Sequence, residues 1–404
     1  MTSDTHQMER HRVFVNGEDG YACYRIPSLV VLGNGELLAV AEGRRDNCGD
    51  HGGVIRVVAK ISADGGATWG PLIEIARNVL PDGSEHVAQN PSPVVDLMDP
   101  EHPEGKVVLL FNKAEGGERA TAGGGPVRRV YVIESTDHGR TWGNERDITT
   151  DVHRPNRPAY TAVYPDAATR YAHPEDWRAT FPPVGHGIQL RGGLANRPET
   201  RGRLFFAAYT TVGERGILAG QGYAIWSDDH GATWRHSDVS PVVGVNEMMA
   251  AELDDGGVLV NFRNYTNEAF TADPVRGQMI HTFDADGAIR LAATHTEPPE
   301  LTMPTPGLQG SIVRLSWADD PGGDGVGRLL FSGADHPDRR VGMTVWLSED
   351  EGRTWPVKRL IDPGPSAYGD MTVLPDGQIA LLYELGGEDG MDVVVFSREW
   401  VMGE

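Results

Sequence analysis

Apolar residues in this chain fall in short runs and not in helical stripes. Val54–Ile61, Val107–Phe111, Val127–Ile133, Leu204–Tyr209, Val258–Phe262, Ile312–Trp317, Met343–Leu347, Ile379–Tyr383 and Met391–Phe396 have strand length and are rich in β-branched or aromatic residues. Glycine, proline, aspartate or asparagine bounds them, and no 3.6-residue periodicity lasts long enough for a substantial helix. The pattern predicts an all-β chain whose sheets run its whole length without a linker, so residues 1–404 are read as a single domain. Glu145–His186 is the exception: it contains prolines and aromatics, shows no evident strand, and reads as a long functional loop or insertion.

A repeat gives the sheets an order. Ser-x-Asp-x-Gly-x-Thr-Trp occurs four times, at Ser62–Trp69, Ser135–Trp142, Ser227–Trp234 and Ser348–Trp355, each after an apolar strand. It reads as turn chemistry: the aspartate accepts backbone N–H groups, the glycine permits positive φ, and the tryptophan returns onto the sheet. These four aspartates are therefore read as structural and not catalytic. Their irregular spacing, at positions 64, 137, 229 and 350, implies insertions and at least one unit whose box is lost. Four strands with their turns take roughly 50–70 residues, which leaves room for about six units. The expected architecture is a six-bladed β-propeller of four-stranded antiparallel blades, and the repeats resemble the Asp boxes (BNR repeats) of sialidase-like propellers.

Composition narrows the partners. Acidic residues outnumber basic ones, 58 against 36, for a formal charge of −22. Nucleic acid is not an expected partner, because phosphate binding needs a concentrated basic surface. No run of about 18 apolar residues exists, so no membrane-spanning helix is expected. The only cysteines are Cys23 and Cys48, from which no disulfide framework is expected. The stretch MTSDTHQMERHR lacks the apolar core of a secretory signal, which points to the cytoplasm as written, or to secretion if the sequence is a mature form. The charge also argues against an anionic ligand until the arginines are placed.

Tyr24-Arg25-Ile26-Pro27 resembles the Phe/Tyr-Arg-Ile-Pro motif of the exo-α-sialidase (neuraminidase) family, whose arginine binds the sugar carboxylate. Two more arginines match that family by context. Arg263 sits in VLVNFRN at a strand end, and Arg340 stands eight residues before the last Asp-box serine, with Arg339 competing for the place. Three guanidiniums on one carboxylate supply charge-assisted, partly bidentate hydrogen bonds. Tyr368, in SAYGDMTV, is the implied nucleophile: a neutral phenol meets no like-charge repulsion at an anomeric carbon that bears a carboxylate. Glu247, 16 residues before Arg263, is the implied general base toward Tyr368. Glu384, 16 residues after Tyr368, is the implied partner of the first arginine. Asp50 is the implied acid/base, with Asp46 as local competitor. Arg44 is a further family arginine that contacts ring substituents or pairs with nearby acids. Gln89-Asn90-Pro91 and Gly187-Ile188-Gln189-Leu190 resemble family segments at the pocket wall, though a turn before a strand explains both.

The resemblance runs from Arg25 to Glu384. It implies a retaining exo-α-sialidase that removes terminal sialic acid from glycoconjugates through a glycosyl-tyrosine, with no metal and no cofactor. The expected partner is a sialylated glycan or a related 2-ulosonic acid glycoside. Two rivals stay open: an enzyme of this fold preferring a deaminated sialic acid or a 3-deoxy-octulosonic acid, and a non-catalytic glycan-binding propeller. Tyr160, Tyr164, Tyr171 and Trp177 could stack on a leaving sugar or pack beneath the long loop. Cys23 and Cys48 each stand two residues before a proposed site residue. They read either as unrelated small buried residues or as thiols near the pocket whose modification would slow turnover.

Overall fold

Each apolar run becomes a strand that pairs antiparallel with a neighbour in sequence. The computed structural model describes residues 8–50, 53–114, 128–153, 177–212, 217–267, 271–305, 307–386 and 389–403. A typical unit runs Ser311–Ser316, Arg328–Ala334, Val341–Ser348 and Val357–Pro365, in that order across one sheet. First strands of successive units pack together around a common axis. Cys23–Val31 lies against both Gly369–Val373 and Glu85–Asp96, and Ser311–Ser316 against both Val245–Glu252 and Gly369–Val373.

Apolar side chains fill the gaps between units. Phe205, Ala207 and Tyr209 meet Met248, Val260 and Phe262 of the next sheet. On that sheet's other face, Met249, Ala251 and Leu259 meet Ile312, Phe331 and Trp346. Burial on both faces explains why the strands read as continuous apolar runs: all eight residues of Leu37–Arg44 are buried. The arrangement is all-β and propeller-like. Among the described residues no helix is long and apolar enough to cross a membrane.

The hydrogen bonding departs from six separate blades. It makes four separate sheets of four or five strands and a fifth sheet of nine. The nine-stranded sheet arises because Ile55 forms a parallel bridge to Val87, stitching the meander that begins at Cys23 to the one that contains Glu85–Asp96. Glu9–Val15 closes the circle by pairing with Gly390–Phe396, as the outer strand of the sheet that also holds Gly369–Val373 and Ile379–Glu384.

The repeated boxes are turns, as read. Asp64 Oδ1 accepts from Thr68 N at 2.8 Å, Ser62 Oγ accepts from Gly66 N at 2.9 Å, and Trp69 Nε1 donates to Gly66 O at 3.0 Å. Gly66, Gly139, Gly231 and Gly352 have φ of 102°, 79°, 87° and 81°, which a side chain would strain. Hydrogen bonds from Thr68 hold the Asp64 carboxyl down at about 2. The sheet ending in Ile289–Arg290 turns through Asp284-Ala285-Asp286-Gly287-Ala288, without the serine or tryptophan of a box. In the closing sheet the fourth strand is Glu9–Val15, so no hairpin exists to carry a box.

The Glu145–His186 stretch is not strandless. Trp177–Phe181 pairs with Leu204–Val212, and Thr149–Val152 makes one helical turn. Three alternating apolar residues were too short a signal to read as a strand. Trp177 is buried, with Tyr223 at 4.6 Å and His236 at 5.2 Å between ring centroids, so it packs inside and does not face a sugar. Tyr160, Tyr164 and Tyr171 lie outside the described residues.

Candidate active site

In a meander the first strand starts, the second ends and the third starts at one rim. Arg25 lies at the start of Cys23–Val31, Glu247 at the start of Val245–Glu252, and Tyr368 directly before Gly369–Val373. Arg44 and Glu384 close Leu37–Arg44 and Ile379–Glu384, Arg263 is near the end of Val258–Asn264, and Arg340 directly precedes Val341–Ser348. Topology alone thus brings them to one rim, while the Asp boxes, which follow third strands, sit at the other. Three first strands slip register as they reach the site: between Arg25 and Ser28, Gln89 and Ser92, and Asn246 and Met248. Such bulges re-aim side chains. Ile26 takes a left-handed φ of 62°, costly for a β-branched residue, and Glu384 Oε1 secures it by accepting from Ile26 N at 2.9 Å.

At the centre, the Tyr368 hydroxyl donates to Glu247 Oε1 and accepts from Arg263 Nη1 at 3.2 Å. Arg263 Nη1 also donates to Glu247 Oε2 at 2.9 Å. Burial, and then the Glu247 carboxylate, push the Tyr368 hydroxyl well above its usual pKa, while Arg263, Arg340 and Arg25 pull the other way. The resting phenol is neutral, and its proton already points at a base.

Three guanidiniums surround this pair. Arg25 Cζ lies 5.4 Å and Arg340 Cζ 5.7 Å from the Tyr368 ring centroid. Arg25 Nε donates to Glu384 Oε1 at 2.7 Å. Burial opposes the Arg25 charge, but Glu384 outweighs it and raises the pKa; Glu247 does the same for Arg263. Arg340 Nη2 donates to Gly307 O at 3.3 Å, and no carboxylate among the described residues pairs with it. Arg339 is exposed and bonded to His336, whereas Arg340 lines the pocket.

Arg44 pairs with acids. Its Nε and Nη2 donate to Glu42 Oε2 at 3.0 and 2.7 Å, and its Nη1 donates to Asp50 Oδ1 and to Cys48 O, each at 2.6 Å. Asp46 instead accepts from Val54 N at 3.0 Å, which leaves Asp50 at the pocket. The expectation about cysteine was wrong. Cys23 and Cys48 are joined in a disulfide, with Cα atoms 5.2 Å apart. Cys23 lies opposite Arg44 in the ladder, and the loop that follows Arg44 folds back to bring Cys48 beside it. Two cysteines make no framework, but they make one clip.

Seven of the eight expected residues line one pocket of about 220 Å³; Glu384 stands behind Arg25. Gln89 and Asn90 line it too, whereas the 187–190 segment does not. Sequence reasoning missed Glu42, whose signal is its place two residues before Arg44 on one strand. Asn246, the asparagine of the Asn-Glu segment that carries Glu247, lines the pocket as well, and Tyr265 and Leu218, which belong to no motif, were missed. Arg276 was missed as well: wholly buried, it donates to Asn261 Oδ1 at 2.8 Å and to Leu308 O. Burial pushes it down to about 9, still charged at neutral pH. Among the described residues one cluster could ligate a metal, Asp96, Asp99 and His230. Lys106 Nζ, 2.7 Å from Asp99, already supplies a cation there, and Asp96 is at the far end of the strand from Gln89.

The sequence profile of the BNR repeat-like domain matches residues 35–381. The chain belongs to that family. This BNR repeat-like chain is 32% identical over 400 residues to a sialidase of Micromonospora viridifaciens. That alignment takes in 96% of the chain but 54% of the relative, so the chain spans about half the relative's length. Among solved structures, the BNR repeat-like fold is similar to a Hadza microbial sialidase, with TM-score 0.73 and 23% identity, covering 96% of this chain and 68% of the other. It is also similar to the intramolecular trans-sialidase of Ruminococcus gnavus, solved with oseltamivir carboxylate, with TM-score 0.71 and 16% identity, covering 96% and 98%. At these identities the two structures speak for the fold.

Proposed function

We propose that the chain is a retaining exo-α-sialidase, a glycoside hydrolase that removes terminal sialic acid from glycans through a covalent glycosyl-tyrosine. The observation that carries this reading is the Tyr368–Glu247 hydrogen bond set among three guanidiniums. The sialidase relative supports it. Arg340, which no described carboxylate pairs with, keeps its guanidinium for one substrate carboxylate. Arg25 and Arg263 hold the rest of that anion, each kept rigid by its own glutamate.

In the first step Asp50 gives a proton to the glycosidic oxygen as the bond to the anomeric carbon breaks. Glu247 takes the Tyr368 proton while the phenolic oxygen bonds to that carbon. In the second step Asp50, now a carboxylate, takes a proton from water, and the water oxygen attacks the same carbon. The phenolate leaves and recovers its proton from Glu247. Two inversions give net retention.

In the same reading the nine-stranded sheet counts as two blades joined at Ile55 and Val87, giving a six-bladed single domain over residues 1–404. The disulfide favours the secreted alternative, since cytosolic thiols stay reduced. The test is a fluorogenic ketoside panel of N-acetylneuraminic, deaminated and octulosonic acids. Turnover of the first is expected; folded wild-type protein inactive on all three would sink the reading, and preference for another member would redirect it.

A further inference from the structure

The mechanism above makes no use of the disulfide, yet the bond joins its two halves. Cys23 stands two residues before Arg25 and Cys48 two before Asp50. The tyrosine, its glutamate and Arg25 and Arg263 are carried on or directly beside strands. Asp50 alone is carried by a surface loop: Arg45, Asp46, Asn47, Gly49 and Asp50 are all exposed, and the Asp50 side chain is 54% exposed. A catalytic group displaced by about 1 Å can lose on the order of a hundredfold in rate, so such a loop needs tethers.

Two of its tethers converge on Cys48. Arg44 Nη1 grips the Cys48 carbonyl and the Asp50 carboxylate at 2.6 Å each, and is itself held by Glu42. The disulfide ties the same residue to fully buried Cys23, at the head of the strand that carries Arg25. We propose that Cys23 and Cys48 are positioning residues for the acid/base, whose bond fixes Asp50 relative to Arg25 and thereby sets which leaving groups can be expelled. The inference rests on the sialidase reading. A sugar alkoxide is a strong base and needs the Asp50 proton to depart, whereas an activated aryl oxide departs largely without it. Loosening the loop therefore impairs natural linkages and spares aryl ketosides.

The test compares wild type with Cys48→Ser, and with wild type reduced by dithiothreitol and then reoxidised. Values of kcat/KM are measured on a 4-nitrophenyl ketoside and on sialyllactose, together with hydrogen exchange across residues 45–54. The expected result is a roughly tenfold or larger fall on sialyllactose against less than about twofold on the aryl ketoside. Faster exchange should be confined to the loop, and reoxidation should reverse both changes. An enzyme without the disulfide that treats both substrates as wild type does would overturn the inference. So would an equal fall on both, which reports a damaged pocket. Wild type inactive on both substrates overturns the sialidase reading itself, before any cysteine is altered, and takes this inference with it.

Discussion

Tyr368 keeps its proton because it is buried beside a carboxylate, and it can give that proton up because the same carboxylate is its hydrogen-bond acceptor. Tyr368→Phe should cut kcat/KM by about a hundredfold or more, and no glycosyl-enzyme should be trapped by mass spectrometry with a fluorinated sugar. The arginines differ in what their loss exposes. Arg25→Met strands Glu384, which is 2% exposed, and should cost about 3–5 kcal/mol of stability as well as binding. Arg340→Met strands no described carboxylate. It should raise KM sharply while leaving Tm nearly unchanged, a contrast that paired calorimetry and kinetics would read.

Between residue and molecule stand the devices that hold strands in place. Removing the Asp350 carboxylate takes acceptors from Thr354, so Asp350→Ala should lose about 1–3 kcal/mol on denaturation with kcat/KM unchanged. At the axis Asp370 accepts from Leu29 N at 2.8 Å, Ser311 Oγ at 2.9 Å and His186 Nδ1 at 2.9 Å, tying the first strands of two other sheets and a loop to the first strand of its own. Burial opposes the His186 charge, but Asp370 prevails and raises its pKa. The folded state therefore binds a proton that the unfolded chain releases first. That stabilisation is complete below about pH 6.5 and is lost as pH rises through the raised value. Tm should decline as pH rises above about 6.5 in wild type and decline less in His186→Gln.

The same comparison separates what the sequence makes legible from what it does not. Asp boxes are local: every partner of Asp64 lies within four residues, so the motif is visible in one line of text. Tyr24-Arg25-Ile26-Pro27 and the SAYGD segment around Tyr368 are likewise legible in short windows. His186 and Asp370 are 184 residues apart, and nothing near either one announces the other. Cys48 returns to Cys23 only because a loop folds back, a path that composition does not encode. The bridge from Ile55 to Val87 is a single pairing between two meanders, too slight to leave a pattern.

Over the whole molecule, acidity and recognition occupy different places. A charge of −22 is the sum over the whole chain, while the pocket sets four guanidiniums against its own carboxylates within a few ångströms, where screening by salt has little reach. Closure is the other property of the whole. Deleting residues 8–15 should leave the Gly390–Phe396 edge unpaired, lowering Tm and promoting aggregation that light scattering would detect.

That closure has a consequence in time. Tyr368 and Glu384 border the very sheet that Glu9–Val15 completes, and Arg25, near the other end of the chain, waits on Glu384 for its orientation. Arg25 and Glu384 are 359 residues apart in sequence, so no shorter segment can carry the pair. The pocket is therefore a late product of synthesis, complete only once Glu384 has been made and has met Arg25.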